Sequence, residues 1–246
     1  MQYYIENKED LQYFVYGDSG ISSADFHIVI TKTNQLSGAE RNIEVVEVEG
    51  RDGALLLDKG NYKPFNLELE CCIDAEVENI NSLARQIKKW LQSDFKFKKL
   101  ILSDDPEYYY EASYINKLDI EEVIKSLGEF KLVFLCNPLR KLVGADSPIV
   151  LTKSSVINNL HMASKPYIKV VGSGDIAINI NSQKLILKGV EGYIEVDTEL
   201  YNCFKGDVNQ NNKMYSDFPI LEEGQNNISW EGKVTSLEIL PRWVVL

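Results

Sequence analysis

Two histidines, His27 and His161, are the side chains of this sequence whose ordinary titration falls near neutral pH, and each stands alone. The pattern around His27 reads as a strand and His161 lies near a linker, so structural or solvated roles fit both better than catalysis. Asp104, Asp105 and Glu107 could serve as the acid and base of a glycosidase. Ser103-Asp104-Asp105-Pro106 is nevertheless a strong turn sequence, because Ser and Asp side chains satisfy nearby amides and Pro fixes φ. Asp207, Asn209 and Asn211 imitate the start of a calcium loop, but Asn212 stands where that loop needs glycine and Phe218 where it needs a bidentate glutamate. Gly172-Ser173-Gly174 is too short to cradle a phosphate, and no Gly-Lys-Ser/Thr follows it. No serine sits in a Gly-x-Ser-x-Gly elbow, so nucleophilic catalysis has no visible support and the expectation is a chain that is not an enzyme. Trp230 and Trp243 could form a sugar-stacking platform; core or interface packing is the commoner use of tryptophan.

Of the four cysteines, Cys71 and Cys72 are neighbours whose side chains would point to opposite faces of a strand, and Cys136 and Cys203 stand apart. With no CxxC pair, neither a disulfide framework nor a zinc site is expected; reduced, mostly buried thiols from a cytosol are. No cofactor is implied. The net charge of −11 argues against phosphate-mediated nucleic-acid binding. Its distribution is uneven: residues 1–139 carry 15 basic and 25 acidic side chains, a net of −10, whereas residues 140–246 carry 11 and 12. Ordinary solubility charge is the simpler reading of this excess; the sharper one is that the first half lines something that must not adhere to DNA. No apolar run reaches the roughly 18 residues needed to cross a bilayer, and the N-terminus lacks a signal-peptide pattern, so a soluble, unexported product is expected.

The elements that would position these residues are mainly strands. Residues 26–33 and 43–49 are rich in β-branched types, and 65–73 alternate at period two. Between them, residues 50–64 carry three glycines and a proline and read as a long connection with tight turns, the natural place for contacts outside the domain. Ile80, Leu83, Ala84, Ile87, Trp90 and Leu91 fall at helical spacing, with Asn79 or Asn81 as N-cap, and predict an amphipathic helix over 80–91 that packs on a sheet. Strands follow at 100–102, 108–115 and 130–136; residues 119–128 fit either a short helix or a hairpin connection. Two prolines and no sustained period at 137–148 mark a linker, giving domains 1–139 and 140–246. The second reads as short strands at 167–171, 176–180, 185–187, 193–196 and 202–204, then a hairpin of 227–230 and 234–240 turned at Glu231-Gly232-Lys233. That spacing suggests a β-sandwich.

Several segments in this order resemble the siphophage distal tail protein family across nearly the whole chain. They are Val48-Glu49-Gly50-Arg51-Asp52-Gly53 followed by Asp58-Lys59-Gly60, the helix end Trp90-Leu91, the 103–112 stretch, Phe134 to Pro138, Phe218-Pro219, Gly224-x-Asn226 and Pro241-Arg242-Trp243. The resemblance implies a structural protein of the virion tail tip, made in the bacterial host cytoplasm. Its N-terminal β-rich domain with one helix would form a homo-hexameric ring, single or stacked, and its C-terminal domain would be a galectin-like β-sandwich projecting outward. Implied partners are the tail tube protein and the tail-associated hub protein, with DNA and tape measure protein passing through the bore. Receptor-binding proteins join some members; residues 140–246 leave little room for the long arm that anchors them. Gly50, Arg51, Asp52, Gly53 and Lys59 are the candidate assembly residues. The alternative from another class is a carbohydrate-binding module that reads host-surface glycans through Trp230 or Trp243.

Overall fold

The computed structural model describes residues 11–35, 38–73, 80–116 and 129–246. The chain divides into two compact units, Met1–Arg140 with Leu246, and Lys141–Val245. Both are mainly β, with one α-helix among the described residues.

Unit 1 contains β1 (Phe14–Tyr16), β2 (Ile28–Thr33), β3 (Arg41–Glu47), β4 (Ala54–Tyr62), β5 (Phe65–Ile73), α1 (Ile80–Leu91), β6 (Lys98–Leu102), β7 (Tyr108–Tyr114) and β8 (Phe130–Cys136). Its main sheet runs β1-β6-β7-β8-β5-β2, with antiparallel pairing throughout. The period-two pattern of β5 puts Leu67, Leu69 and Cys71 on the buried face, opposite Phe134, Leu132 and Phe130 of β8. Against this face lies the apolar stripe of α1, with Ala84, Ile87, Trp90 and Leu91 buried. Trp90 anchors the helix. Its indole stacks on Phe14 and Phe26 with centroids 5.5 and 4.9 Å away, and its Nε1–H donates to the Tyr16 carbonyl at 3.0 Å.

Three expectations change here. His27 is not inside a strand: Ser22 and Asp25 form a reciprocal capping box, this nucleates a 3-10 turn over Ser23–Phe26, and His27 ends it in the left-handed region at φ 56°. Asn81 lies inside α1 rather than capping it, while Asn79 falls outside the described residues, as do residues 119–128. Residues 50–64 are not a long connection. Most of them form β4, which folds back on β3 as a separate two-stranded sheet, because the run Ala54-Leu55-Leu56-Leu57 supplies a strand that the flanking glycines turn.

Tyr114 lies in this core, 4% exposed, and its hydroxyl has no hydrogen-bond partner among the described residues. Burial also pushes the phenol up from its ordinary range. Since an unsatisfied buried hydroxyl costs about 1–3 kcal/mol, Tyr114→Phe is expected to stabilise the chain by about 1 kcal/mol. Urea denaturation checks this, and a loss of stability would contradict it.

Unit 2 contains β9 (Arg140–Leu142, entered from unit 1), β10 (Ile149–Leu151), β11 (Ser155–Asn159), β12 (Tyr167–Ile180), β13 (Gln183–Asp197), β14 (Asn202–Lys205), β15 (Val208–Asn209), β16 (Gly224–Leu240) and β17 (Val244–Val245). The sheet order is β10-β16-β12-β13-β14-β15, and β11 also pairs with β16. The expected short strands join into three long ones. No hairpin turns at Glu231-Gly232-Lys233; β16 runs straight through, because both of its halves pair antiparallel with β12, Ile178 opposite Trp230 and Ile168 opposite Ile239. The glycines that suggested turns mark bulges instead. Register shifts fall at 171–177 of β12, and the buried face of β16 changes from even to odd numbers across Gly232. Ile168 and Val170 from one half of β12, and Ile176, Ile178 and Ile180 from the other, thereby reach a single core.

Candidate functional site

Most residues that could carry chemistry are committed to structure. Asp104 accepts from the Gln35 side chain, and Asp105 pairs with Arg140, whose guanidinium also lies over the Tyr108 and Tyr110 rings. The two carboxylates thus hold separate partners within a turn that closes through Asp105 N–H to Leu102 O, 3.2 Å. In the calcium-like segment, the Asn211 side-chain oxygen accepts the Cys203 amide at 2.6 Å and that of Asn209 accepts the Asn211 amide at 3.0 Å. These oxygens shape a loop. Cys71, Cys136 and Cys203 are buried, and desolvation raises all three thiols, Cys136 up to about 12 and Cys203 up to about 11. Trp230 and Trp243 are half-buried against the core of unit 2, and Trp243 has the His161 ring 6.4 Å away. Gly172 sits where β12 passes close to β16, a Cβ there lying 2.3 Å from the Lys233 carbonyl oxygen. No described helix is long and apolar enough to cross a membrane.

The β3–β4 hairpin is different. Val48 to Gly53 make its turn, with Gly50 and Gly53 at φ 78° and 81°, conformations that favour glycine, and Arg51 and Asp52 exposed between them. The Arg51 N–H donates to Val48 O at 3.2 Å. Farther from the turn, Gly60 at φ 73° absorbs extra residues of β4, since Ile43 faces Asp58 and Arg41 faces Tyr62, and its amide donates to Asp58 Oδ1 at 2.9 Å. Arg41 Nε bonds Asp58 at 2.9 Å, Lys59 pairs with Glu44 at 2.9 Å, and the Arg41 guanidinium covers the Tyr62 ring. The candidate assembly residues thus share one hairpin, four at its tip and Lys59 on its shaft.

The sequence reading missed what lies between. Ile43, Val45 and Leu56 share one face of the hairpin, and Leu55 and Leu57 share the other with Val46. Val45 is 63% exposed and Leu56 67%. A two-stranded hairpin is marginal by itself, and one with apolar side chains on both faces is a surface made to be covered. The signal was present in the sequence, since Val45-Val46 and Leu55-Leu56-Leu57 break the alternation expected of a strand with one wet face.

The class of protein is given by a family match in unit 1, that of phage tail proteins. Residues 21–136, within unit 1, match the family model of the phage tail protein RIFT-related domain. The whole chain is similar in structure to the Dit protein of phage SPP1, described as a paradigm of the hub adsorption apparatus in phages infecting Gram-positive bacteria; identity is 15%, coverage 96% of this chain and 100% of the other, and TM-score 0.70. It is also similar to a chain of the phage p2 baseplate in its activated conformation, at 12% identity, with 93% and 97% covered and TM-score 0.52. No curated protein matches the sequence. The resemblance to siphophage distal tail proteins, read from scattered motifs, holds in both the family match and the fold.

Proposed function

We propose that the chain is a structural distal tail protein of a siphophage or prophage, closing into a hexameric ring that joins the tail tube to the tail-tip hub and lets DNA pass through its bore. The observation that carries this reading is the β3–β4 hairpin, which exposes Val45, Leu55, Leu56 and Leu57 and pairs with no other strand of its own chain among the described residues. In a ring, each hairpin finds its cover on the next subunit. That contact is heterologous and repeats until the ring closes. The tail-protein match over unit 1 and the likeness to a hub protein along the whole chain support the same role, which needs no catalytic group. Implied partners are the tail tube protein and the tail-associated hub protein, and the assembled location is the virion tail tip. An excess of ten acidic charges in residues 1–139 suits a bore past which DNA slides without adhering.

The test is a double substitution, Val45→Asp with Leu56→Asp, read by light scattering and by thermal melting. Each buried aliphatic side chain is worth about 1.5–3 kcal/mol, and a charge in its place adds a desolvation cost, so subunit affinity is expected to fall at least 100-fold per interface. Melting of the core should not move, because both positions are exposed in the monomer. Rings of unchanged stability in the double variant would overturn the assignment of this surface. Replacing Arg51 and Asp52 with alanine should weaken assembly less, since tip residues contribute little apolar area.

A further inference from the structure

We propose that unit 2 carries an anion site for a phosphate group, built where the end of β14 and a 3-10 turn over Asn211–Lys213 meet the middle of β13. A cavity of about 80 Å³ opens there, lined by Lys205, Gln210 and Lys213, with the buried Val190 and Ile194 as its apolar part. Both lysines are half-buried and held in place. The Lys205 ammonium donates to the Glu191 carbonyl at 2.6 Å and lies 5.1 Å from the Tyr193 ring centroid, and the Lys213 ammonium donates to the Gly189 carbonyl at 2.8 Å. Those carbonyls are two residues apart on one strand, so two positive charges are pinned side by side. Each ammonium has three N–H groups and spends one on a carbonyl, which leaves donors for a ligand. The Gln210 side chain lines the same space and has no hydrogen-bond partner among the described residues.

Among the described residues no carboxylate pairs with either lysine. Asp175 Oδ1 accepts the Gly189 amide at 3.0 Å, Glu195 accepts the Gly206 amide at 2.8 Å and the Tyr167 hydroxyl at 2.5 Å, and the exposed Glu191 side chain on the rim reaches neither ammonium. Two ammoniums held together partly out of water repel each other, and an anion between them turns that cost into attraction. Size decides its class. At about 80 Å³ the cavity is well below the few hundred Å³ that organic ligands fill, so it suits a single oxyanion head rather than a ring. A carboxylate brings one charge and two oxygens; a phosphate monoester brings roughly two charges and three acceptor oxygens, which match two ammoniums and one amide. Free phosphate and a sugar phosphate share this chemistry. The site lies in unit 2, apart from the β3–β4 hairpin, and does not depend on ring formation.

The full chain is titrated calorimetrically with inorganic phosphate and with glucose 1-phosphate, at an ionic strength held constant with sodium chloride. Saturable binding in the millimolar range is expected. Lys205→Gln and Lys213→Gln each keep an N–H for the carbonyl and lose the charge, so each should weaken binding about tenfold or more, with melting in the absence of phosphate unchanged. Lys188→Gln is the control, since it removes the same charge next to Gly189 from a side chain that covers the Tyr215 ring at 4.5 Å and does not line the cavity; a change of less than about twofold is expected. Glucose 1-phosphate binding at least as tightly as phosphate assigns the group to a sugar carrier, and weaker binding assigns it to the free ion. No saturable binding of either probe, or an equal loss in Lys188→Gln, would overturn the site.

Discussion

Gly232→Ala is expected to destabilise unit 2 by about 3–5 kcal/mol, since it combines backbone strain with overpacking against atoms that cannot move aside. A Cβ at Gly232 would stand 2.4 Å from the Asp175 carbonyl oxygen and 3.2 Å from the Ile176 Cα, and Gly232 adopts φ +99°. The approach is reciprocal, for a Cβ at Gly172 would lie 2.3 Å from the Lys233 carbonyl oxygen. Both glycines sit at the bulges where β12 and β16 change register, so relieving the clash means parting the two strands that hold the core. In a unit of about 100 residues that loss lowers the melting temperature by roughly 15 °C or more. Gly174→Ala is the control: it shares the strained backbone, at φ +79°, but nothing lies within 4 Å, so about 1–2 kcal/mol is expected. Equal melting of the two variants would show that the close approach is not what constrains Gly232.

The second large effect is Arg242→Ala. Arg242 places both guanidinium nitrogens 2.8 Å from the two Asp197 oxygens, and Glu199 lies 3.3 Å from one of them. Asp197 is 5% exposed and also accepts the Glu199 and Leu200 amides, while Lys141 pairs with Glu199 at 3.0 Å. Nearby, Ser164 Oγ donates to the Pro241 carbonyl at 2.7 Å. Together these bonds fasten the strand end after β16 to the end of β13. Removing the arginine leaves a buried carboxylate uncompensated, which costs about 3–5 kcal/mol.

The sign of the pH dependence follows from Asp197. Burial alone would raise its carboxyl, but the Arg242 guanidinium and the two amides outweigh burial and hold it below the usual carboxylate range. Its stabilising contribution is therefore complete above the unfolded pKa of about 3.9 and is lost as pH falls through the lower folded value. In Arg242→Ala burial dominates, the carboxyl moves up, and protonation relieves the variant as pH falls. The stability gap between parent and variant should shrink from pH 7 to pH 3 in denaturant melts. A gap independent of pH would mean that Arg242 acts through packing alone.

How much of this was legible in the sequence depended on the kind of signal. Strands β5 and β8 and helix α1 were read to the residue, because period-two and period-3.6 patterns report which face is buried and nothing else in the chain competes with them. Glycine was the weak point. Gly232 reads as a turn, and Gly172 and Gly174 as a break between two short strands, yet all three serve bulges within continuous strands; sequence shows that the backbone bends there, not whether the chain reverses. Gly50 and Gly53 do reverse the chain, but the leucines after them build a strand whose only partner among the described residues is β3, and its uncovered faces became visible only in the fold. The family resemblance reached the tail-protein reading before any of these surfaces could be placed, because ordered motifs survive where interface side chains do not announce themselves.

The most direct measurement of the central claim is the mass of the full chain in solution by size exclusion with light scattering, with negative-stain images of the same peak. The account predicts particles of six subunits or a multiple of six, with a central hole, in which hydrogen exchange of the β3–β4 backbone is slowed by its neighbour. A monomer of 28.0 kDa whose hairpin amides exchange freely, also when tail tube protein is added, would contradict it.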